Sequence, residues 1–255
     1  MRKKKKSSKL EPLALVSLVR EVRRGDGDTR PLAVAGAREL VPLLARQLRE
    51  GGEPAAVVEG RVEGAAAVIW VGAADEDRLH AASRAGVPIV ALTDDAALPY
   101  VLAADLVRVQ PGRSFPVEEL AAAVARRLGE DGTALAARLP VLRKAVCDEL
   151  IRSFSKRNAL IAAAIFVPGV DLPVLTLNQA RLVLRIALAY GEQIDNRRAV
   201  ELLGVVGAGF GFRAVARELL DLVPVAGWAV KGAVAYTGTR AIGEAAVRYF
   251  DTVSS

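Results

Sequence analysis

Two short stretches of the 255-residue chain carry the residue types most suited to chemistry. The first is AVAGARELVPLL, where Gly36 follows an apolar run and precedes a helical pattern. A phosphate loop of the G-x-x-x-x-G-K-[ST] kind cradles phosphates with backbone amides, and its Lys and Ser/Thr serve the γ-phosphate and magnesium. Gly36 stands where the first glycine would be, but the second glycine, the Lys and the Ser/Thr are absent. The other stretch is Leu92-Thr93-Asp94-Asp95, at the end of a later apolar run. Thr93 to Asp95 have the residue types that cap a following turn. If the chain holds a nucleotide, Gly36, Thr93 and Asp95 are the residues that would hold it. No G-x-G-x-x-G accompanies them, so a dinucleotide site has no support.

The remaining polar residues narrow the chemistry further. Glu59, Glu63, Asp75, Glu76 and Asp77 lie near strand ends without a partnering base or nucleophile, and they read as solvated surface. A single histidine, His80, leaves no multi-histidine metal site, and a single cysteine, Cys147, leaves no intramolecular disulfide or cysteine-based zinc cage. His80 is expected to be a partly exposed structural residue and Cys147 to be packed. No catalytic residue, metal or cofactor is expected.

The elements that would position these residues alternate. Apolar runs at 32–36, 55–59, 67–72, 87–93 and 106–109 predict strands, and 38–50, 75–85 and 117–128 predict helices. Continuous apolar strands separated by helices predict a parallel sheet covered on both faces. The N-terminal half, 30–128, is therefore a doubly wound, Rossmann-like α/β domain. The GEDGT segment at 129–133 predicts a hinge, and 134–252 is helical throughout. Gly191 is placed as a helix C-cap and Asp195 as an N-cap. The last two helices are expected to form a Gly-rich antiparallel hairpin turned at Pro224 and Gly227. Glycine costs about 1 kcal/mol per helix-interior site, so Gly204, Gly207, Gly211, Gly227 and Gly243 predict close helix packing.

The net charge of +6 is unevenly spread. Residues 1–24 hold nine Lys/Arg against two Asp/Glu, leaving 26 basic and 27 acidic residues in the remainder. The body is neutral, which argues against nucleic acid as a partner. Residues 1–29 form a basic arm and a short amphipathic helix built on Leu15, Leu18, Val19 and Val22. Lys3, Lys4, Lys5 and Lys6 would attract an anionic membrane surface, at about 1 kcal/mol per basic residue near the bilayer. The apolar stretch after them is short and shows no small-residue cleavage site, so no signal peptide is expected.

A mean hydropathy of +0.28 is high, yet no segment gives the roughly 20 apolar residues a spanning helix needs. Ala159–Ala180 is interrupted by Pro168, Gly169, Asp171 and Pro173, and 199–230 by Arg213, Arg217, Glu218 and Asp221. A bundle in solution or at a membrane surface is expected, in the cytoplasm or at the cytoplasmic face of the inner membrane.

Two resemblances follow from these stretches. AAAVIWVGAADEDRLHAASRAGVPIVALTDD resembles the middle of a Ras-like G domain, with Thr93-Asp94-Asp95 where the Asn-Lys-x-Asp guanine motif would stand. LVRVQPGRSFPVEELAAAVARRL resembles the last strand and helix of such a domain. PGVDLPVLTLNQARLVLRIALAYGEQID and the glycine-rich stretch ending at Phe250 resemble the YcjF-type bacterial domain of unknown function, number six-nine-seven. That domain occurs in predicted inner-membrane proteins and behind some Era-like GTPases. The pairing implies a degenerate GTPase-like domain, lacking the phosphate loop, D-x-x-G and guanine motif, joined to a YcjF-type helical domain. It implies a protein partner or self-association, and bacterial membrane association.

Overall fold

The computed structural model describes residues 12–109, 112, 114–164, 172–210 and 228–253. Contacts divide the chain into two units: Gly25–Leu150 with Leu188–Gly191, and Met1–Arg24 with Ile151–Ala187 and Glu192–Ser255.

The α/β unit holds five parallel strands, β1 (Leu32–Gly36), β2 (Val57–Glu59), β3 (Ala67–Val71), β4 (Ile89–Thr93) and β5 (Leu106–Arg108), in the order β2-β1-β3-β4-β5. Its helices are α2 (Val41–Leu48), α3 (Glu76–Arg84), α4 (Val117–Leu128) and α5 (Gly132–Arg138), with α1 (Pro12–Asp26) preceding them in the chain. Alternate side chains of a strand point to opposite faces. Ala33, Ala35, Val68, Trp70, Ile89 and Ala91 form one apolar cluster with Leu79 and Ala82 of α3. The residues between them, Leu32, Val34, Ile69, Val90 and Leu92, are just as buried. A sheet covered on both faces is what the unbroken apolar runs predict.

Local chemistry explains most boundaries. Asp75 accepts the Arg78 amide at 3.2 Å and so caps α3. The helix expected from Arg38 starts only at Val41, because the preceding turn is held by Ala37 O, which accepts the amides of Leu40 and Val41. The expected hinge at 129–133 is folded into this unit. Gly129–Asp131 is a 3-10 turn, and Gly132 opens α5 against Val146, within 3.3 Å of where its Cβ would lie.

The helical unit is built from α1, the later part of α6 (Pro140–Ala164), most of α7 (Leu172–Ala189), α8 (Asn196–Phe210) and α9 (Trp228–Val253). Leu18, Val19 and Val22 bury the apolar face of α1. Glu192 donates its amide to Ala187 O and Gly191 to Leu188 O, the paired bonds of a Schellman cap on α7. Asp195 accepts the Arg198 amide at 2.7 Å and opens α8 as expected. Among the described residues no helix is long and apolar enough to cross a membrane.

Candidate functional site

In an open α/β sheet, ligands bind outside the carboxyl ends of the strands, at the point where strand order reverses. Here that point lies between β1 and β3. The chain closes it with its own backbone. Gly36 has φ +116, and a Cβ there would stand 2.1 Å from Val71 O. Ala37 donates its amide to that same oxygen at 2.8 Å, and Gly72 donates to Leu92 O at 2.8 Å. Gly36 is thus a glycine because β3 passes against it. The amides of Ala37, Leu40 and Val41, which a phosphate loop would turn outward, are all spent within the chain.

Thr93 is fully buried and its Oγ1 accepts the Asp95 amide at 3.1 Å. Arg108 donates to the carbonyls of Asp94 and Asp95, both at 2.9 Å. The structure therefore brings Thr93 and Asp95 together in a capped turn at the end of β4. Asp95 itself is exposed.

The concavity of the unit is displaced toward β3, β4 and β5. It has a volume of about 960 Å³, within the size range typical of ligand pockets. Val71, Leu92 and Val109 line it from the strand ends, Leu40 and Leu43 from the α2 side, and Phe115 and Pro116 from the start of α4. Leu43 is 54% exposed, Val109 39% and Leu40 37%, so apolar surface stays open along its walls. Arg46, Gln47, Glu50, Asp94 and Ser114 supply its polar lining. Leu92, Thr93 and Asp94 of the stretch singled out from the sequence are among its lining, whereas Leu40 and Leu43 look in sequence like ordinary positions of an amphipathic helix.

Other polar groups are committed elsewhere. Glu59 pairs with Arg49 at 2.8 Å. His80 is exposed and stacks on Tyr100, with ring centroids 5.0 Å apart. Arg78 lies over the Trp70 ring and donates to Gly60 O. Asp105 is buried beside Arg127, at 3.4 Å; burial pushes its carboxyl above the ordinary range, while Arg127 and Arg126 pull the other way. Cys147 is buried. Among the described residues, no group of three or more His, Cys, Asp or Glu could hold a metal.

In the helical unit the glycines divide. A Cβ at Gly243 would lie 2.5 Å from Ile151 Cγ1 and 3.1 Å from Leu182 Cδ2, so α9 closes tightly on α6 and α7 there. Gly232 lies close to the Ala159 carbonyl, 3.3 Å from where its Cβ would stand. Among the described residues nothing lies within 4 Å of a Cβ at Gly204. Gly207 belongs to α8, whereas Gly211, Gly227 and Lys3 to Lys6 lie outside the described residues. Asn158 donates to Thr239 at 2.8 Å and accepts from Asn178 at 2.9 Å. Arg181 extends this chain from Asn178 to Glu21 of α1, at 2.8 Å on each side. The network joins four helices, and its individual polar residues carry no sequence signal.

No family model, characterised protein or solved structure matches the chain.

Proposed function

We propose that this is a non-catalytic, two-domain bacterial protein that works at or near the cytoplasmic face of the membrane. Its α/β unit is a degenerate GTPase-like module that binds a protein partner. Its helical unit is a YcjF-type domain with a Gly-rich hairpin, and together with the basic arm it makes membrane or partner contact. The observation that carries the non-catalytic reading is the spent turn after β1: Ala37, Leu40 and Val41 bond within the chain, and Gly36 is pressed against Val71. Three of the turn's amides are thereby withheld from a phosphate, and no Lys, Ser or Thr stands between Gly36 and Leu48 to serve one. Isothermal titration of the full chain with GTP, GDP and ATP is expected to give no heat at millimolar ligand. Co-sedimentation with anionic liposomes tests the membrane element. Binding that falls when residues 1–9 are removed supports it, and negligible binding with or without them removes it.

One observation favours a second reading, a GTPase-related switch with a non-standard phosphate loop. The concavity of about 960 Å³ has Thr93 and Asp94 at its lining. Saturable GTP or GDP binding that Asp95→Ala abolishes would establish it.

A further inference from the structure

The near-balance of charge beyond residue 24 conceals a division between the two units. The helical unit holds 21 Lys/Arg against 10 Asp/Glu, and the α/β unit 14 against 19. Residues 1–24 supply nine of those 21 cations and two of the 10 acids. The bundle therefore keeps an excess of cations without them.

Part of that excess is gathered on one helix. From Leu150 to Val170 the sequence has Arg152, Lys156 and Arg157 and no acid. The helix α6 turns Ile151, Phe154, Asn158 and Ala162 inward, all of them buried. Its opposite side carries Arg152, Lys156 and Leu160, spaced four residues apart and so stacked in a row, with Arg157 beside them. The three cations are exposed. Leu160, at 72%, is the most exposed large apolar side chain among the described residues.

A row of cations alone would suit any polyanion, because neutralising phosphates releases their counterions. A leucine in the same row gains nothing from charged oxygens. An anionic bilayer offers both halves, headgroups for the cations and an acyl boundary for the apolar side chain.

We infer that the outward side of α6, with Arg152, Lys156, Arg157 and Leu160, seats the helical unit on an anionic membrane surface, in addition to any contact made by residues 1–9. The inference rests on the membrane element of the proposed function and names the face that makes the contact. The full chain is co-sedimented with vesicles of phosphatidylcholine, or of equal parts phosphatidylcholine and phosphatidylglycerol. Each cation near an anionic surface changes partition by about fivefold, so Arg152→Gln combined with Lys156→Gln should weaken binding to the mixed vesicles by roughly tenfold or more. Leu160→Ser should weaken it by about threefold or more, because less apolar area enters the bilayer. Arg61→Gln combined with Arg84→Gln removes the same charge from exposed sites of the α/β unit. That control should stay within about twofold of the wild type, since charges beyond a Debye length are screened. Arg152→Lys combined with Lys156→Arg should bind as the wild type does. All these sites are exposed, so far-UV circular dichroism should be unchanged throughout.

An equal loss in the two glutamine double variants would reduce the effect to net charge and overturn the assignment. Indifference to either α6 change, or tighter binding to duplex DNA than to the mixed vesicles, would overturn it too. Negligible binding by the wild-type chain overturns the membrane reading itself. Binding that depends on residues 1–9 but not on Arg152, Lys156 or Leu160 overturns the α6 assignment alone.

Discussion

Gly36→Ala separates a glycine kept for phosphate from one kept for the sheet. A side chain at φ +116 is on the left-handed side of the map, a conformation that costs an L-residue roughly 1–2 kcal/mol. The added Cβ would also meet Val71 O at 2.1 Å, with Val71 N at 2.8 Å, and neither atom can rotate away. Relief requires β1 and β3 to part, which loses the Ala37–Val71 bond, worth about 0.5–1.5 kcal/mol. Overpacking typically adds about 1–3 kcal/mol, so the whole change should cost roughly 3–5 kcal/mol. Gly51→Ala is the control, because it has φ +69 with nothing within 4 Å of the new Cβ. It should cost only the conformational part, about 1–2 kcal/mol. Trp70 sits opposite Ala35 in the β1–β3 ladder, so its fluorescence follows this transition during heating. At about 2–4 °C per kcal/mol for a chain of this size, Gly36→Ala should melt on the order of 10 °C below the wild type. A Gly36→Ala midpoint equal to that of Gly51→Ala would refute the steric account and return Gly36 to the list of ligand-binding residues.

Other expectations follow from the same geometry. Gly243→Leu should destabilise the helical unit by about 1–3 kcal/mol in urea unfolding, through overpacking against Ile151 and Leu182. Gly204→Ala should stabilise that unit by up to about 1 kcal/mol, as an open helix position allows. Asn158→Ala should cost about 1–3 kcal/mol, because the Asn178 amide and Thr239 hydroxyl lose their buried partner. Asp105 holds its proton more tightly folded than unfolded, chiefly because burial disfavours its charged form. Its contribution to stability is therefore full below the unfolded carboxylate range and is lost as pH rises through the raised folded value. Asp105→Asn should gain on the wild type in melting temperature between pH 3.5 and pH 8, and a difference that does not change with pH would contradict this.

The strands and α4 were legible because their signals are strong and local. Ala67–Val71 is an uninterrupted apolar run buried on both sides, and Val117–Leu128 combines helical period with Glu118 and Glu119 in its first turn. Asp195 announced its helix for the same reason, since an N-cap is satisfied by its own next turn. What escaped the sequence depends on distant neighbours. The GEDGT segment has the composition of a linker, yet Gly132 packs on Val146, fourteen positions further on. Gly204 and Gly243 are alike in sequence, and among the described residues Ile151 and Leu182 crowd the second and nothing crowds the first. Leu43 has the pattern of a core residue and faces an open groove instead. Gly36, Thr93 and Asp95 lie at or just past strand ends, and the bonds described around them are to their own chain.

That internal bonding links the fold to its use. In a sheet of order 2-1-3-4-5, the connections after β1 and β3 diverge to opposite faces, and the crevice between them is the natural ligand site. Gly36 allows the two strands to stay paired past this point, where Ala37 reaches Val71 O, while Gly72 on the other edge of β3 reaches Leu92 O of β4. A Cβ at Gly72 would come within 3.2 Å of Ala37 Cβ, so both sides of the closure depend on small residues. The open space lies to one side of the closed crevice, between Leu40 and Leu43 on the α2 side and the ends of β3, β4 and β5. There the wall is made of leucine side chains rather than backbone amides. The crevice closed by backbone and the partly apolar concavity thus stand at the same end of the sheet.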